Sequence, residues 1–217
     1  MKNIILIAAP AAGKGTESDI LTAEYNMPHI STGDLLRAAR EDGSERAKII
    51  AKHQDEGSLV PFDIVLELLK ERILKEDCDN GYILDGFPRD IAQAEAYDKI
   101  LEETKRDVGV VIVLDIDKNL AASRIAGRIS CPDCKAVYNV NNPELTPKEE
   151  GICDKCGAKL VKRADDNEET YMDRYNTYVE KTAPLIDFYK AKGVVYHVNA
   201  NNGKDETHRQ VKEILGE

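Results

Sequence analysis

Short unbroken apolar runs alternate along the chain with longer stretches in which apolar residues recur at helical spacing. The runs predict strands buried on both faces, and the spaced stretches predict amphipathic helices. This alternation favours an α/β fold with three layers and a parallel five-stranded sheet. The predicted strands are 3–8, 27–30, 82–84, 108–116 and 194–198. The predicted helices are 13–25, one beginning near 35, one beginning near 61, 91–104, 120–127, 168–192 and 204–215.

Two segments depart from a simple alternation. Pro184 lies inside the predicted helix 168–192, where a proline kinks a helix or restarts it. The stretch 127–162 contains turn residues and no long periodic run. It is therefore predicted to form a separate small module.

Composition narrows the class of protein. The chain has 217 residues, 42% hydrophobic and 32% charged, enough for one sizeable core with one or two small inserts. The net charge of −10 argues against a general nucleic-acid binder, although local arginine clusters still permit an anionic ligand. No apolar stretch approaches the roughly 20 residues of a bilayer span, and the chain does not open with a signal-peptide pattern. We therefore expect a cytosolic protein with no membrane partner.

The first chemical motif is a loop of small residues that follows the first strand and ends in Gly-Lys-Gly-Thr at 13–16. A strand, such a loop and a helix start form a cradle of backbone N–H groups for phosphate, and Lys14 meets the charge. The motif departs from the usual G-x-x-x-x-G-K-S/T pattern, because Ala8 takes the first glycine position and Gly15 follows the lysine. From this segment alone, a plain turn between strand and helix stays open.

The second motif is Asp-Gly-Phe-Pro-Arg at 85–89, which also follows a short apolar run. A carboxylate at the end of a second strand can hold a magnesium ion beside the phosphate loop, so Asp85 is a candidate to act on Mg²⁺ through water. Together the two motifs indicate nucleotide chemistry.

Ala11 lies in the phosphate loop at a place where glycine normally lets the chain curl around phosphate. A left-handed backbone there costs an alanine about 1–2 kcal/mol. The loop either tolerates this strain or shifts slightly and binds its nucleotide less well.

Four of the five cysteines form two C-x2-C pairs separated by 18 residues: Cys131, Cys134, Cys153 and Cys156. Cytosolic thiols stay reduced, so this spacing predicts a tetrahedral zinc site ahead of two disulfides or unpaired thiols. Four protein ligands leave no position for water, which makes the zinc structural, and an insert of about 36 residues needs a metal to hold its core. Iron in place of zinc stays open. Cys78 is predicted to be incidental.

Five motifs occur in order along the chain: 8–16, 31–37, 85–89 with Gln93, 124–128 and 163–170. In this order and spacing the chain resembles the adenylate kinase family, specifically its long bacterial form with a zinc-binding lid. The resemblance implies a core of 1–30, 61–126 and 165–217, a nucleoside-monophosphate-binding insert of 31–60 and a lid of 127–164. It implies reversible phosphoryl transfer from MgATP to AMP giving two ADP, with closure of lid and insert. The implied metals are Mg²⁺ and structural Zn²⁺, and we expect a monomer whose partners are ATP, AMP and ADP.

The resemblance also implies roles for individual residues. By resemblance, AMP is held by Thr32, Arg37, Leu59, Val60, Gly86, Arg89, Gln93, Arg163 and Arg174. ATP is held by Ala11, Ala12, Gly13, Lys14, Gly15, Thr16, Arg124 and Arg128. The groups implied in catalysis are Lys14, Asp85, Arg89, Arg128, Arg163 and Arg174. No role falls to Ile129, where many relatives carry a second consecutive arginine.

Arginines suit this chemistry because phosphoryl transfer requires in-line positioning and charge cancellation more than covalent help. A single arginine is usually a solvated surface charge, so the assignment depends on the joint pattern. By resemblance, Asp165 and Asp166 lie where the lid meets the core and help closure, with a charged turn at a helix start as the alternative. The remaining titratable candidates are read as structural or exposed: His29, His53, His197 and His208.

Three other functions stay open. A kinase for another nucleoside monophosphate has the same fold. Gln93 and residues 59–61, which by resemblance line the AMP pocket, favour adenine as the base of the acceptor. A non-catalytic nucleotide-binding protein is suggested by Ala8 and Ala11. A zinc-ribbon nucleic-acid binder is opposed by the acidic balance and would show salt-dependent binding.

Overall fold

The computed structural model describes residues 2–55, 60–134, 136–162, 166 and 168–216. Its strands are β1 (Ile4–Ala8), β2 (His29–Ser31), β3 (Ile83–Asp85), β4 (Val110–Asp115), β5 (Arg128–Ser130), β6 (Val137–Asn139) and β7 (Val195–Asn199). Its helices are α1 (Lys14–Tyr25), α2 (Thr32–Ala39), α3 (Glu45–Asp55), α4 (Phe62–Ile73), α5 (Ile91–Thr104), α6 (Lys118–Gly127), α7 (Glu168–Thr177), α8 (Pro184–Lys190) and α9 (Lys204–Leu215). None of these described helices is long and apolar enough to cross a bilayer.

The strand β1 lies at the centre of a parallel sheet of five strands, in the order β2-β3-β1-β4-β7. Its side chains alternate between two hydrophobic clusters, with Ile5 and Ile7 on one face and Ile4 and Leu6 on the other. Because both faces are buried, the strand is an unbroken apolar run in the sequence. The predicted α/β fold with five parallel strands is confirmed.

The sheet brings the two sequence motifs to one edge. The strands β1 and β3 are neighbours, and Leu6 lies opposite Asp85. The loop that follows β1 leaves the sheet at this same edge and leads into α1. Since β3 and β4 flank β1 on opposite sides, this edge is a switch point in the strand order, where open α/β sheets bind their ligands.

Two helical regions differ from the sequence prediction. The pattern does not predict α3, because Ala47 and Ile50 are its only buried positions among the described side chains of a largely charged helix. The predicted helix 168–192 is interrupted by a π-type turn at Tyr178–Thr182, after which α8 begins at Pro184. The restart at Pro184 is thus confirmed.

Residues 128–162 carry a small core of their own. The strands β5 and β6 pair antiparallel, and isolated bridges join Ser130 to Val161 and Ile152 to Lys159. The hydrophobic cluster of this described segment consists mostly of small or sulfur-containing residues: Cys131, Ala136, Tyr138, Cys153 and Leu160. A core of this size is too small to order a module unaided.

Hydrogen bonds join this segment to the carboxyl end of α6. Asn139 Nδ2 donates to the Arg124 carbonyl at 2.8 Å, and the Val140 amide donates to the Gly127 carbonyl at 2.9 Å. Gly127 has no room for a side chain, because an added Cβ would lie 2.3 Å from Asn139 Oδ1. These contacts fix the direction of the chain between Arg124 and Arg128.

Candidate active site

A cleft of about 750 Å³ opens at the carboxyl edge of the sheet. The loop 10–16 forms one wall, and Asp85 and Gly86 lie beside it after β3. Among the described residues, five arginines line the cleft: Arg37, Arg89, Arg124, Arg128 and Arg174. Counting Lys14 and Lys204, the described lining carries more basic than acidic side chains, so the site is positive in a protein of net charge −10, which suits a polyanionic ligand.

The cleft includes most of the residues implied by the sequence. The loop contributes all of its implied members: Ala11, Ala12, Gly13, Lys14, Gly15 and Thr16. Three implied AMP contacts, Thr32, Val60 and Gln93, do not line it. Leu59, Arg163 and Asp165 lie outside the described residues.

The phosphate loop contains two residues in the left-handed region, Ala11 with φ of 64° and Gly13 with φ of 105°. Glycine adopts this conformation freely, whereas alanine is strained by about 1–2 kcal/mol. The strained conformation considered from the sequence is therefore present at Ala11. Lys14 Nζ donates to the Ala8 carbonyl at 3.3 Å, so the lysine folds back over its own loop.

Replacing Ala11 with glycine should raise the free energy of unfolding by up to about 1 kcal/mol. The change removes the left-handed strain, and the greater freedom of the unfolded chain offsets part of that gain. Ala12→Gly is the matched control, because Ala12 is buried and has no positive φ, so this change should cost about 1 kcal/mol. Chemical denaturation measures both variants. Equal losses in the two would show that Ala11 carries no strain.

Lys14 and Asp85 set the electrostatics of the cleft. Burial lowers the pKa of Lys14, Asp85 counters this effect, and the nearby arginines lower the pKa further. Burial favours a raised pKa for Asp85, but the imidazole of His29 beside it and the charge of Lys14 outweigh burial, so the pKa is lowered. The carboxylate is therefore ionised, and a bound polyphosphate would relieve the repulsion among the cations.

His29 is a cleft residue that the sequence reading missed. Its Nε2 lies 3.4 Å from Asp85 Oδ2, because β2 and β3 run parallel with Ser31 opposite Asp85. Burial lowers the pKa of His29, but the neighbouring Asp85 carboxylate outweighs burial and raises it. The available signal was its place at the end of a predicted strand, directly before the motif at 31–37.

Arg89 is held in place by the backbone around it. Its Nε donates to the Gly86 carbonyl at 2.8 Å, and its amide donates to Gln93 Oε1 at 2.8 Å. Gly86 has φ of 77°, and a Cβ there would lie 3.1 Å from Arg89 Nη2, so the guanidinium covers a position suited to glycine. Gln93 thus contacts the Arg89 backbone instead of lining the cleft.

Among the described residues, the cleft arginines Arg128 and Arg37 pair with carboxylates. Arg128 Nε donates to Asp166 Oδ2 at 2.7 Å, and its Nη2 donates to Oδ1 of the same group. Asp166 is buried, so this bidentate pair satisfies a charge that burial would otherwise penalise. On α2, the exposed Arg37 pairs with Asp34. A bound phosphate would replace these carboxylates or share the guanidinium groups with them.

A charge cluster anchors the helix that follows the loop. Glu17, buried in the first turn of α1, lies 2.9 Å from His208 Nδ1 on α9, and Glu24 lies 2.7 Å from His208 Nε2. Both ring nitrogens can donate only when the imidazole is protonated. Burial lowers the pKa of His208, but its hydrogen bonds to Glu17 and Glu24 outweigh burial and raise it.

This cluster should make stability depend on pH. Because the pKa of His208 is raised in the folded state, its contribution is complete below the unfolded pKa of about 6.5 and is lost as the pH rises through the folded pKa. His208→Gln should therefore cost about 1–3 kcal/mol near pH 6 and progressively less toward pH 9. Urea denaturation measures the difference, with His197→Gln as the control, because the pair of His197 with Asp115 is exposed and contributes little to stability. A difference that stays constant with pH would contradict the charged cluster.

The four cysteines of the C-x2-C pairs lie in one cluster, with their Sγ atoms within 4.8 Å of one another. Cys131 to Cys156 and Cys134 to Cys153 are each 3.4 Å apart, and all five cysteines of the chain are free. A disulfide requires about 2.05 Å, whereas the edge of a zinc–sulfur tetrahedron is about 3.8 Å. The donor set therefore fits Zn²⁺.

Among the four clustered thiols, the surroundings of Cys153 favour the thiolate form, whereas the pKa of Cys134 and that of Cys156 are raised by burial and by the neighbouring cysteine sulfurs. Burial opposes the ionisation of Cys153, but hydrogen bonds from the Tyr138 hydroxyl and from the amides of Cys156 and Lys155 outweigh burial and lower its pKa to about 6. Metals bind the thiolate rather than the thiol.

The fold and the cleft define a class, the P-loop phosphotransferases, in which a strand leads through a phosphate loop into a helix and a carboxylate follows the neighbouring strand. Comparison with known proteins gives the family. The family model for adenylate kinase matches residues 6–194. The chain belongs to the adenylate kinase family.

Curated relatives match the chain over nearly its full length, and all three described here are named adenylate kinase. The relative from Syntrophomonas wolfei is 44% identical over 214 residues, which cover 98% of each chain. That from Bacillus subtilis is 42% identical over 215 residues, 99% of this chain and 98% of its own. The relative from a Geobacillus species is 41% identical over 215 residues, which cover 99% of this chain and 98% of its own.

Proposed function

We propose that this chain transfers the terminal phosphoryl group of MgATP to AMP, reversibly, giving two ADP. This is the reaction of the family to which the chain belongs. The observation that carries the proposal is the cleft, in which Lys14 and five described arginines surround one space. Such a ring of cations supplies the positioning and charge cancellation that phosphoryl transfer needs.

We assign the ATP side to the phosphate loop and the carboxyl end of α6. Its members are Ala11, Ala12, Gly13, Lys14, Gly15, Thr16, Arg124 and Arg128. All of them line the cleft, which supports the assignment. The helix α1 begins at Lys14, so its amino end favours a bound phosphate. Lys14 would exchange the Ala8 carbonyl for the outer phosphates.

We assign the AMP side to α2, the residues before α4, the turn after β3, the start of α5, and α7 with the preceding Arg163. Its members are Thr32, Arg37, Leu59, Val60, Gly86, Arg89, Gln93, Arg163 and Arg174. The positions of Arg37, Gly86, Arg89 and Arg174 in the cleft support their part. Thr32, Val60 and Gln93 do not line it. Contacts of Thr32 and Val60 would require the insert to move toward the core, and a contact of Gln93 would require its side chain to turn from the Arg89 amide.

The proposed catalytic set is Lys14, Asp85, Arg89, Arg128, Arg163 and Arg174. Mg²⁺ enters with ATP, shields its phosphate oxygens, and would meet the ionised Asp85 through water. Zn²⁺ on the four cysteines would hold the fold of the lid and take no part in the chemistry, since no ligand position stays open.

We propose that 127–164 acts as a lid and 31–60 as the insert over a core of 1–30, 61–126 and 165–217. Closure would exclude water that otherwise hydrolyses ATP, and reopening would limit turnover. The pair between Arg128 and Asp166 supports this, because a phosphate can compete for the guanidinium as the lid closes. We further propose a cytosolic monomer without a nucleic-acid partner, in keeping with the net charge of −10.

An acceptor assay tests the proposal, with MgATP and either AMP, CMP, UMP or GMP. We expect rapid ADP formation with AMP and turnover at least about tenfold slower with the others. Lys14→Met, prepared in parallel, should remove the activity and so exclude a contaminating kinase. Comparable rates with another acceptor would reassign the substrate. Nucleotide binding without ADP formation would leave a non-catalytic binder.

A further inference from the structure

Tyr138 lies between the cleft and the cysteine cluster. It is the middle residue of β6, lines the cleft, and is 8% exposed. Its hydroxyl oxygen lies 2.8 Å from the Asp154 amide nitrogen and 3.5 Å from Cys153 Sγ. The hydroxyl therefore contacts the second cysteine pair at two neighbouring residues.

The direction of these two hydrogen bonds follows from their chemistry. A backbone amide only donates, so the Tyr138 oxygen accepts from Asp154. The hydroxyl hydrogen is then available, and Cys153 Sγ is within hydrogen-bond reach. A sulfur that binds a metal is a thiolate and only accepts. With metal bound, the contact is therefore O–H donating to S⁻.

We propose that Tyr138 is a positioning residue of the lid metal site, whose hydroxyl stabilises the Cys153 thiolate and slows release of the metal. Four thiolates around a divalent ion carry excess negative charge, and a donated hydrogen bond disperses part of it. The same hydroxyl fixes the Asp154 amide, and thereby the turn that carries Cys153 and Cys156. The role of Tyr138 presupposes the zinc site proposed above.

The position of Tyr138 also connects the metal to the nucleotide cleft. Its neighbours on β6, Val137 and Asn139, line the cleft, and Asn139 donates to the Arg124 carbonyl at 2.8 Å. The Tyr138 hydroxyl group thus joins the strand that lines the cleft to the second cysteine pair.

Transfer of zinc to a chromogenic chelator tests this role in the full-length protein. Tyr138→Phe should release zinc about tenfold to a hundredfold faster than the unchanged protein. Tyr171→Phe is the matched control, because Tyr171 is 1% exposed and its hydroxyl donates to the Lys118 carbonyl at 2.9 Å, away from the cysteines. Its release rate should not change.

Cobalt substitution separates the hydrogen bond to sulfur from a general loosening of the lid. We expect the sulfur-to-cobalt charge-transfer band to shift in Tyr138→Phe and to stay in place in Tyr171→Phe. The band reports only sites that hold cobalt, so partial loss of lid order does not alter its position. Equal release rates and an unshifted band overturn the role of Tyr138 alone. Unchanged protein that binds neither zinc nor cobalt overturns the metal site as well.

Discussion

Arg89→Ala is expected to lower kcat for ADP formation by about a hundredfold to a thousandfold, with little change in melting temperature. The Arg89 side chain lines the cleft and is exposed, and its Nε donates only to the Gly86 carbonyl among the bonds described above. Its loss therefore opens no cavity in the core. The substitution removes a guanidinium group that can bind the transferred phosphoryl group with two hydrogen bonds.

Two further variants make the result specific. Arg89→Lys keeps the charge but loses the guanidinium fork, so it should recover only part of the rate. Arg209→Ala removes an arginine of the exposed face of α9, which pairs with Glu206 and Glu213, and should leave kcat unchanged. Steady-state kinetics and thermal melting of all three decide the matter. A near-normal kcat in Arg89→Ala would show that the residue is misassigned.

Cys153→Ser is expected to release the metal and to lower the melting temperature by about 5–10 °C. Cys153 is 2% exposed and lies 3.4 Å from the sulfur of Cys134. A serine oxygen is a poorer ligand than a thiolate for this metal. Without the metal, the small core of the segment 128–162 cannot stay ordered alone.

Cys78→Ser provides the control for the cysteine variant. Cys78 is buried in the main core, away from the cluster, so its replacement should affect stability without changing metal content. Elemental analysis and calorimetry of the same samples measure both quantities. Unchanged metal content and stability in Cys153→Ser would rule out a site with four thiolate ligands.

Most of the sheet could be predicted because a strand buried on both faces is an unbroken run of apolar residues in the sequence. The strand β4 reads as one long apolar run, and α5 and α9 have the predicted bounds 91–104 and 204–215. The helix α3 could not be predicted in this way. It covers its neighbours with a narrow apolar face, so its periodicity is weak.

The candidate site was predictable where it is built from local motifs. The loop at 8–16 and the motif at 85–89 each fix a strand end, and the parallel sheet then brings them together. Contacts between distant segments have no local motif from which they could be predicted. No pattern in the sequence predicts that Asp166 pairs with Arg128, or that Glu17 pairs with His208 on the last helix.

The strain at Ala11 follows from the sequence and the structure taken together. The sequence identifies a non-glycine residue in a curled loop, and the structure gives its φ of 64°. A bound phosphate adds favourable contacts to this strained form, so nucleotide affinity depends on the balance between those contacts and the strain. Comparison of ATP affinity between the unchanged chain and Ala11→Gly would measure that balance.

The most direct measurement is a crystal structure with a bisubstrate analogue, in which two adenosines are joined through a chain of phosphates. We expect one molecule bound in the cleft, with Lys14, Arg37, Arg89, Arg128 and Arg174 within hydrogen-bond distance of its phosphate oxygens. Guanidinium groups that still point away from the phosphates, with lid and insert closed, would contradict the proposal that these cations act together on the transferred group.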